Sequence, residues 1–174
     1  MGIQAIKDQI RVVPDFPKKG ILIRDLTTVF KDPQCLNDLS TLMTDTYKGK
    51  GITKVVGIES RGFIMGPVMA NNLGAGFVTL RKPGKLPADT YQASYEKEYG
   101  LDTIEIHKDA LTEDDVVLIH DDLLATGGTM LAAYELVKRF NVKKIYINFI
   151  VELEDLNGRT LFPEEIEIDS LIKF

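Results

Sequence analysis

The sequence predicts an α/β fold with a central, mostly parallel sheet flanked by helices. Three observations carry that prediction. Short apolar runs rich in β-branched residues recur at Lys54–Glu59 (KVVGIE), Gly76–Arg81 (GFVTLR), Val116–Ile119 (VVLI) and Lys143–Leu153 (KKIYINFIVEL), as strands buried on both faces do. Two of these runs pass through a small-residue turn into a helical pattern, and repeated strand–turn–helix units imply parallel strands joined by crossover helices. At 174 residues the chain suits one domain, 1–174, with a real core.

Composition narrows the function classes. The net charge of −5 argues against a general nucleic-acid surface, although local basic clusters could bind a phosphorylated small molecule. Cys35 is the single cysteine, so neither an internal disulfide nor a cysteine-based zinc site can form. That fits a reducing cytoplasm. No signal-peptide core and no run of membrane-spanning length is seen, so the expectation is a cytoplasmic protein without a membrane partner.

Taken in order, Ile3, Ile6 and Ile10 fall at helical spacing and predict a short packing helix. Arg11–Gly20 (RVVPDFPKKG) reads as an irregular connector. Ile21–Phe30 follows, with an Arg24-Asp25 pair that reads simplest as a surface ion pair. Asp32 and Pro33 form a helix start, and Leu36, Leu39, Leu42, Met43 and Tyr47 mark the buried face before Gly49 and Gly51 end the helix. Ser60-Arg61-Gly62 links the Lys54–Glu59 strand to a helix over Phe63–Leu73. Gly74-Ala75-Gly76 precedes a strand rather than opening a helix, which rejects a dinucleotide fingerprint. Lys82–Ala88 (KPGKLPA) is basic but lacks the serine or threonine of a P-loop. Asp89–Gly100 is polar and aromatic, and with the alternating Leu101–His107 it reads as a hairpin flap, a long excursion of the kind that forms active-site lids. Pro163–Phe174 reads as an edge strand.

The most informative stretch is Val116–Thr129, VVLIHDDLLATGGT. A buried strand ends in the acidic pair Asp121-Asp122, and a turn, Thr126-Gly127-Gly128-Thr129, opens the next helix. Free amides at a helix start, together with the positive end of the dipole, form an anion site. The two glycines let the main chain approach a ligand, and the threonine hydroxyls add donors. Carboxylates repel a bare phosphate, so the acidic pair must face sugar hydroxyls or a hydrated magnesium ion. The combination describes a site for a phosphorylated sugar.

This stretch resembles the phosphoribosyl-diphosphate (PRPP) signature of the type I phosphoribosyltransferases, and DDLLATGGT is similar to their adenine-specific branch. The resemblance implies the type I phosphoribosyltransferase fold, with a β-hairpin lid and a small N-terminal base-binding region, and a homodimer. It implies that Asp121, Asp122, Ala125, Thr126, Gly127, Gly128 and Thr129 bind PRPP or AMP, with Mg2+ entering as the PRPP complex near Asp121 and Asp122 and no direct metal ligand set. Arg61 and Lys85 become pyrophosphate ligands, Arg81 and Lys82 being weaker candidates, with a cis peptide expected at Ser60–Arg61. Leu22 and Arg24 fall on the adenine-binding edge, where main-chain groups read the base. Glu98, in the segment Glu98-Tyr99-Gly100, is the catalytic acid/base, with Tyr99 helping to close the site. The implied reaction is adenine plus PRPP giving AMP plus pyrophosphate. Alternatives are a transferase for xanthine or hypoxanthine, a non-catalytic PRPP-sensing protein, and a protein that stores a nucleotide. His120 departs from that branch, which more often has an aliphatic residue or an acid there. It reads as a packed, hydrogen-bonded side chain with no catalytic role.

Overall fold

The β-branched runs become the central sheet of the computed structural model, which describes residues 2–97 and 100–174. The chain divides into two compact units, Met1–Thr46 and Tyr47–Phe174.

In the first unit, helix α1 (Ile3–Gln9) buries Ile6. Arg11–Gly20 is not wholly irregular. It begins with strand β1 (Arg11–Pro14), antiparallel to β2 (Leu22–Asp25), because Val12 and Val13 favour extended backbone and Pro14 closes the strand where no further amide is needed. The connecting turn holds a cis Phe16–Pro17 bond. The cross-strand partner of Asp25 is Arg11, whose Nε donates to its carboxylate at 2.9 Å. Neighbours such as Arg24 and Asp25 point to opposite faces of a strand. The other Asp25 oxygen accepts the Thr27 amide at 2.9 Å at the start of α2 (Thr27–Phe30). Helix α3 (Pro33–Asp45) starts as predicted: Asp32 accepts the Cys35 amide at 2.9 Å, and Cys35, Leu39 and Met43 are buried.

The second unit is built on five parallel strands in the order β4-β3-β7-β8-β9. They are β3 (Lys54–Ile58), β4 (Gly76–Leu80), β7 (Val116–Leu124), β8 (Lys144–Glu152) and the edge strand β9 (Glu167–Lys173). Helix α4 (Gly62–Leu73) joins β3 to β4, and α5 (Gly128–Lys138) joins β7 to β8. Between β4 and β7 lies the predicted hairpin, β5 (Thr90–Lys97) and β6 (Gly100–His107). It is packed down: Tyr91, Ala93 and Tyr95 join the core cluster that holds Met130, Ala133 and Val137 of α5. Strand β7 lies mid-sheet, with Val117, Leu118 and Ile119 fully buried. It runs five residues beyond the apolar Val116–Ile119, through both aspartates. Pairing with β8 (Asp121 with Phe149, Leu123 with Val151) holds that extension in the sheet.

Candidate active site

The site lies at the carboxyl ends of β3 and β7, where parallel sheets receive ligands. Two hollows meet there. One, of about 180 Å³, is lined by Ala125, Thr126, Gly127, Gly128 and Thr129 together with Arg61 and Asp121. The other, of about 400 Å³, is lined by Glu59, Ser60, Arg61, Lys82, Tyr95, Asp121 and Thr129. Arg61, Asp121 and Thr129 therefore wall both.

The first hollow is shaped by backbone. Gly127 caps α5 with φ of 93°, a left-handed conformation that favours glycine. A side chain there would also stand 2.9 Å from the carbonyl oxygen of Gly158. The approach is reciprocal, since a β-carbon on Gly158 would come within 2.6 Å of the Ala125 oxygen. The Asn157-Gly158 turn after β8 thus presses against the loop from behind and fixes its curve. This support, between residues some thirty positions apart, carries no signal in the local sequence. With the loop held, the first amides of α5 and the hydroxyls of Thr126 and Thr129 are available to an anion.

The acidic pair divides its labour. Asp122 is nearly buried and ion-paired to Nε of Arg61 at 2.8 Å, while the Arg61 side chain remains 66 % exposed. Arg61 is thus anchored at its root and open at its tip. Asp121 faces both hollows, and one of its oxygens accepts the Asp122 amide at 2.8 Å. Burial and then the neighbouring Asp122 charge push the Asp121 carboxyl well up, so the position favours a proton, a cation or a hydroxyl donor.

The second hollow is cationic on its far wall. Glu59, just past β3, gathers the basic loop: its carboxylate accepts from Arg81 Nε at 3.1 Å and from the Lys82 amide at 3.1 Å, with Lys85 Nζ 3.8 Å away. These donors hold the Glu59 carboxyl below its usual range in spite of its burial, which acts the other way. Lys82 lines the hollow itself, whereas Lys85 stands beside Glu59. The cis peptide falls at Glu59–Ser60, one bond earlier than the expected Ser60–Arg61, directly after the residue whose amide still bonds the Leu80 oxygen at 2.9 Å. Residue-by-residue reading overlooked Glu59, Tyr95 and Gly158. A carboxylate among basic residues was a usable sign only for Glu59.

Of the other predicted positions, Leu22 and Arg24 lie on β2 in the first unit. Glu98 and Tyr99 lie outside the described residues. His120 is fully buried. Its Nδ1 shares a 2.9 Å hydrogen bond with Oδ1 of Asn148, whose amide nitrogen points to the Met69 sulfur at 3.5 Å. That orientation makes Nδ1 the protonated nitrogen. Nε2 has no hydrogen-bond partner among the described residues. Burial, opposed by the Asn148 bond and the Asp122 charge, lowers the His120 pKa to about 4.

An anion cradle and a cationic hollow sharing an aspartate suit a sugar that carries phosphate at both ends, the substrate of a phosphoribosyl transferase. The phosphoribosyl transferase domain does match the chain, over residues 26–170. Full-length relatives narrow the class. The adenine phosphoribosyltransferase of Bacteroides thetaiotaomicron is 62 % identical over 172 residues, covering 99 % of this chain and 98 % of that one. The Giardia lamblia enzyme, solved with 9-deazaadenine, superposes with a TM-score of 0.94 at 47 % identity, covering 100 % of this chain and 98 % of the other. The Rhodothermus marinus enzyme gives 0.92 at 45 %, covering 99 % and 98 %. The chain belongs to the adenine phosphoribosyltransferases, and is a pentosyltransferase of the type I phosphoribosyltransferase fold.

Proposed function

We propose that the paired hollows transfer the phosphoribosyl group of PRPP to adenine, giving AMP and pyrophosphate, with the chain working as a single domain. The observation that carries this reading is the shared wall: Arg61, Asp121 and Thr129 border both the glycine-loop hollow and the cationic one. A sugar seated against Asp121 then reaches Ala125–Thr129 with its 5-phosphate and Arg61, Lys82 and Lys85 with its diphosphate.

The C1–O bond to the leaving diphosphate stretches before N9 of the purine bonds, so charge accumulates on the diphosphate and on the ribose ring. Preorganised cations at the leaving group supply the major stabilisation. Arg61 is fitted for this because Asp122 has already set its direction. Asp121 addresses the ribose hydroxyls, whereas Asp122, expected to do the same, lines neither hollow and acts through its ion pair with Arg61. The Asp121 carboxylate, which faces both hollows, fits a magnesium ion that keeps waters and substrate phosphates as its other ligands. When bound with PRPP, that ion would neutralise diphosphate charge. Glu98 accepts the purine proton as N9 attacks and returns it in reverse, and Tyr99 helps to exclude water. Main-chain groups at Leu22 and Arg24 read the purine edge. Adenine offers a donor at N6 and an acceptor at N1, and hypoxanthine inverts both. Each group left unpaired costs about 1–3 kcal/mol. The enzyme works as a cytoplasmic homodimer in purine salvage.

The test is a base-specificity profile with PRPP and magnesium. Pyrophosphate should appear with adenine and scarcely with hypoxanthine, guanine or xanthine. Equal turnover on hypoxanthine would overturn the assignment of the base.

A further inference from the structure

Asp102, on β6 of the hairpin, collects three side-chain donors besides the amide of Thr103. Lys82 Nζ is hydrogen-bonded to its carboxylate, Tyr95 Oη donates at 2.8 Å, and Lys97 Nζ lies at 3.1 Å. The carboxylate is only 16 % exposed. Two of the three donors, Lys82 and Tyr95, also line the cationic hollow. Lys82 is held at both ends, its amide by Glu59 at 3.1 Å and its ammonium by Asp102. The rest of the basic loop is docked on the same strand: the Gly84 amide donates to Glu105 at 2.9 Å, and the Ala88 amide donates to His107 Nε2 at 3.2 Å.

We propose that Asp102, itself braced by the Tyr95 hydroxyl, is a positioning residue for pyrophosphate, holding the Lys82 ammonium against the hollow so that the diphosphate meets it already ordered. The inference rests on the reading of that hollow as the diphosphate site. Lysine is a flexible chain whose ordering opposes binding, and a preset ammonium removes that cost. An ammonium has three donors, so Lys82 can keep Asp102 while giving its other hydrogens to the diphosphate. Two ammoniums around one carboxylate leave the cluster net positive.

The sign of the effect separates positioning from plain charge. Deleting a negative charge near an anion site should by itself tighten anion binding, whereas losing the anchor should weaken it. Steady-state kinetics of Asp102→Asn in both directions give the answer. The KM for pyrophosphate, and that for PRPP, should rise about tenfold, the worth of one charge-assisted contact, with the KM for adenine unchanged. Asp102→Glu should recover most of the loss. Tyr95→Phe, which removes one donor and leaves the charges, should move the pyrophosphate KM in the same direction by less, and it serves if Asp102→Asn does not fold. In a double-mutant cycle, adding Asp102→Asn to Lys82→Gln should cost nothing further. An unchanged or lowered pyrophosphate KM in Asp102→Asn, or additive losses in the double variant, would overturn the inference. If Arg61→Gln raises that KM while Asp102→Asn does not, only the role of Asp102 falls. If neither Arg61→Gln nor Lys82→Gln raises it, the hollow is not the diphosphate site and both readings fall.

Discussion

Acid should weaken this fold earlier than its carboxylates alone require, and the cause is His120. The side chain is fully buried with Nε2 lacking an acceptor among the described residues, so a proton added there would bring a desolvated charge into the sheet with no acceptor for its new N–H and only partial relief from the Asp122 charge. Its folded pKa is lowered to about 4 from an ordinary value of 6.5. Above about pH 6.5 the imidazole is neutral in both states and adds no pH dependence. Between the two values the unfolded chain takes up a proton that the folded chain refuses, so stability falls as pH falls. One pKa unit corresponds to about 1.4 kcal/mol, so the loss is about 2 kcal/mol by pH 5 and about 3 kcal/mol by pH 4. Below the folded value both states are protonated and the contribution levels off. Urea unfolding at a series of pH values, for the wild type and for His120→Leu, isolates the effect because every other titrating group is shared. The leucine variant carries a fixed penalty for the lost Asn148 bond, but its stability should fall less from about pH 7 to pH 5, by about 2 kcal/mol. Parallel stability–pH profiles for the two proteins would refute the reasoning.

Three further outcomes are expected. Gly158→Ala should raise the KM for PRPP and lower stability by about 1–3 kcal/mol, since its β-carbon would meet the Ala125 oxygen at 2.6 Å; unaltered kinetics would mean that the phosphate loop does not depend on the turn behind it. Glu98→Gln should lower turnover strongly while PRPP affinity, read by isothermal titration, changes little, and near-normal turnover would remove Glu98 from the mechanism. Asp32→Ala should remove the cap on α3 at a cost of about 1 kcal/mol, seen as a fall in melting temperature of about 2–4 °C without loss of activity.

The parts legible in the sequence are those set by local pattern. Four β-branched runs became strands β3, β4, β7 and β8, the Asp32-Pro33 pair started α3, the glycine turn after Ala125 opened α5, and the polar segment before Leu101 formed a hairpin arm. The parts that were not legible depend on partners distant in sequence. Asp121 and Asp122 look like the end of a strand because their residue types disfavour one, yet β8 keeps them in the sheet. Asp25 chooses Arg11 because of cross-strand register. The hold of Glu59 on the basic loop joins residues more than twenty positions apart.

Strand β7 has a consequence for hydrogen–deuterium exchange. It is flanked by a strand on each side, so the amides of Val117–Ile119 can exchange only when the whole sheet opens, and their rates report global unfolding. Asp121 is carried on the same ladder, two residues from Ile119. The carboxylate shared by the two hollows is therefore carried on the most firmly held strand of the sheet, and substrate-dependent protection should be sought in the glycine loop and the Lys82–Ala88 segment instead.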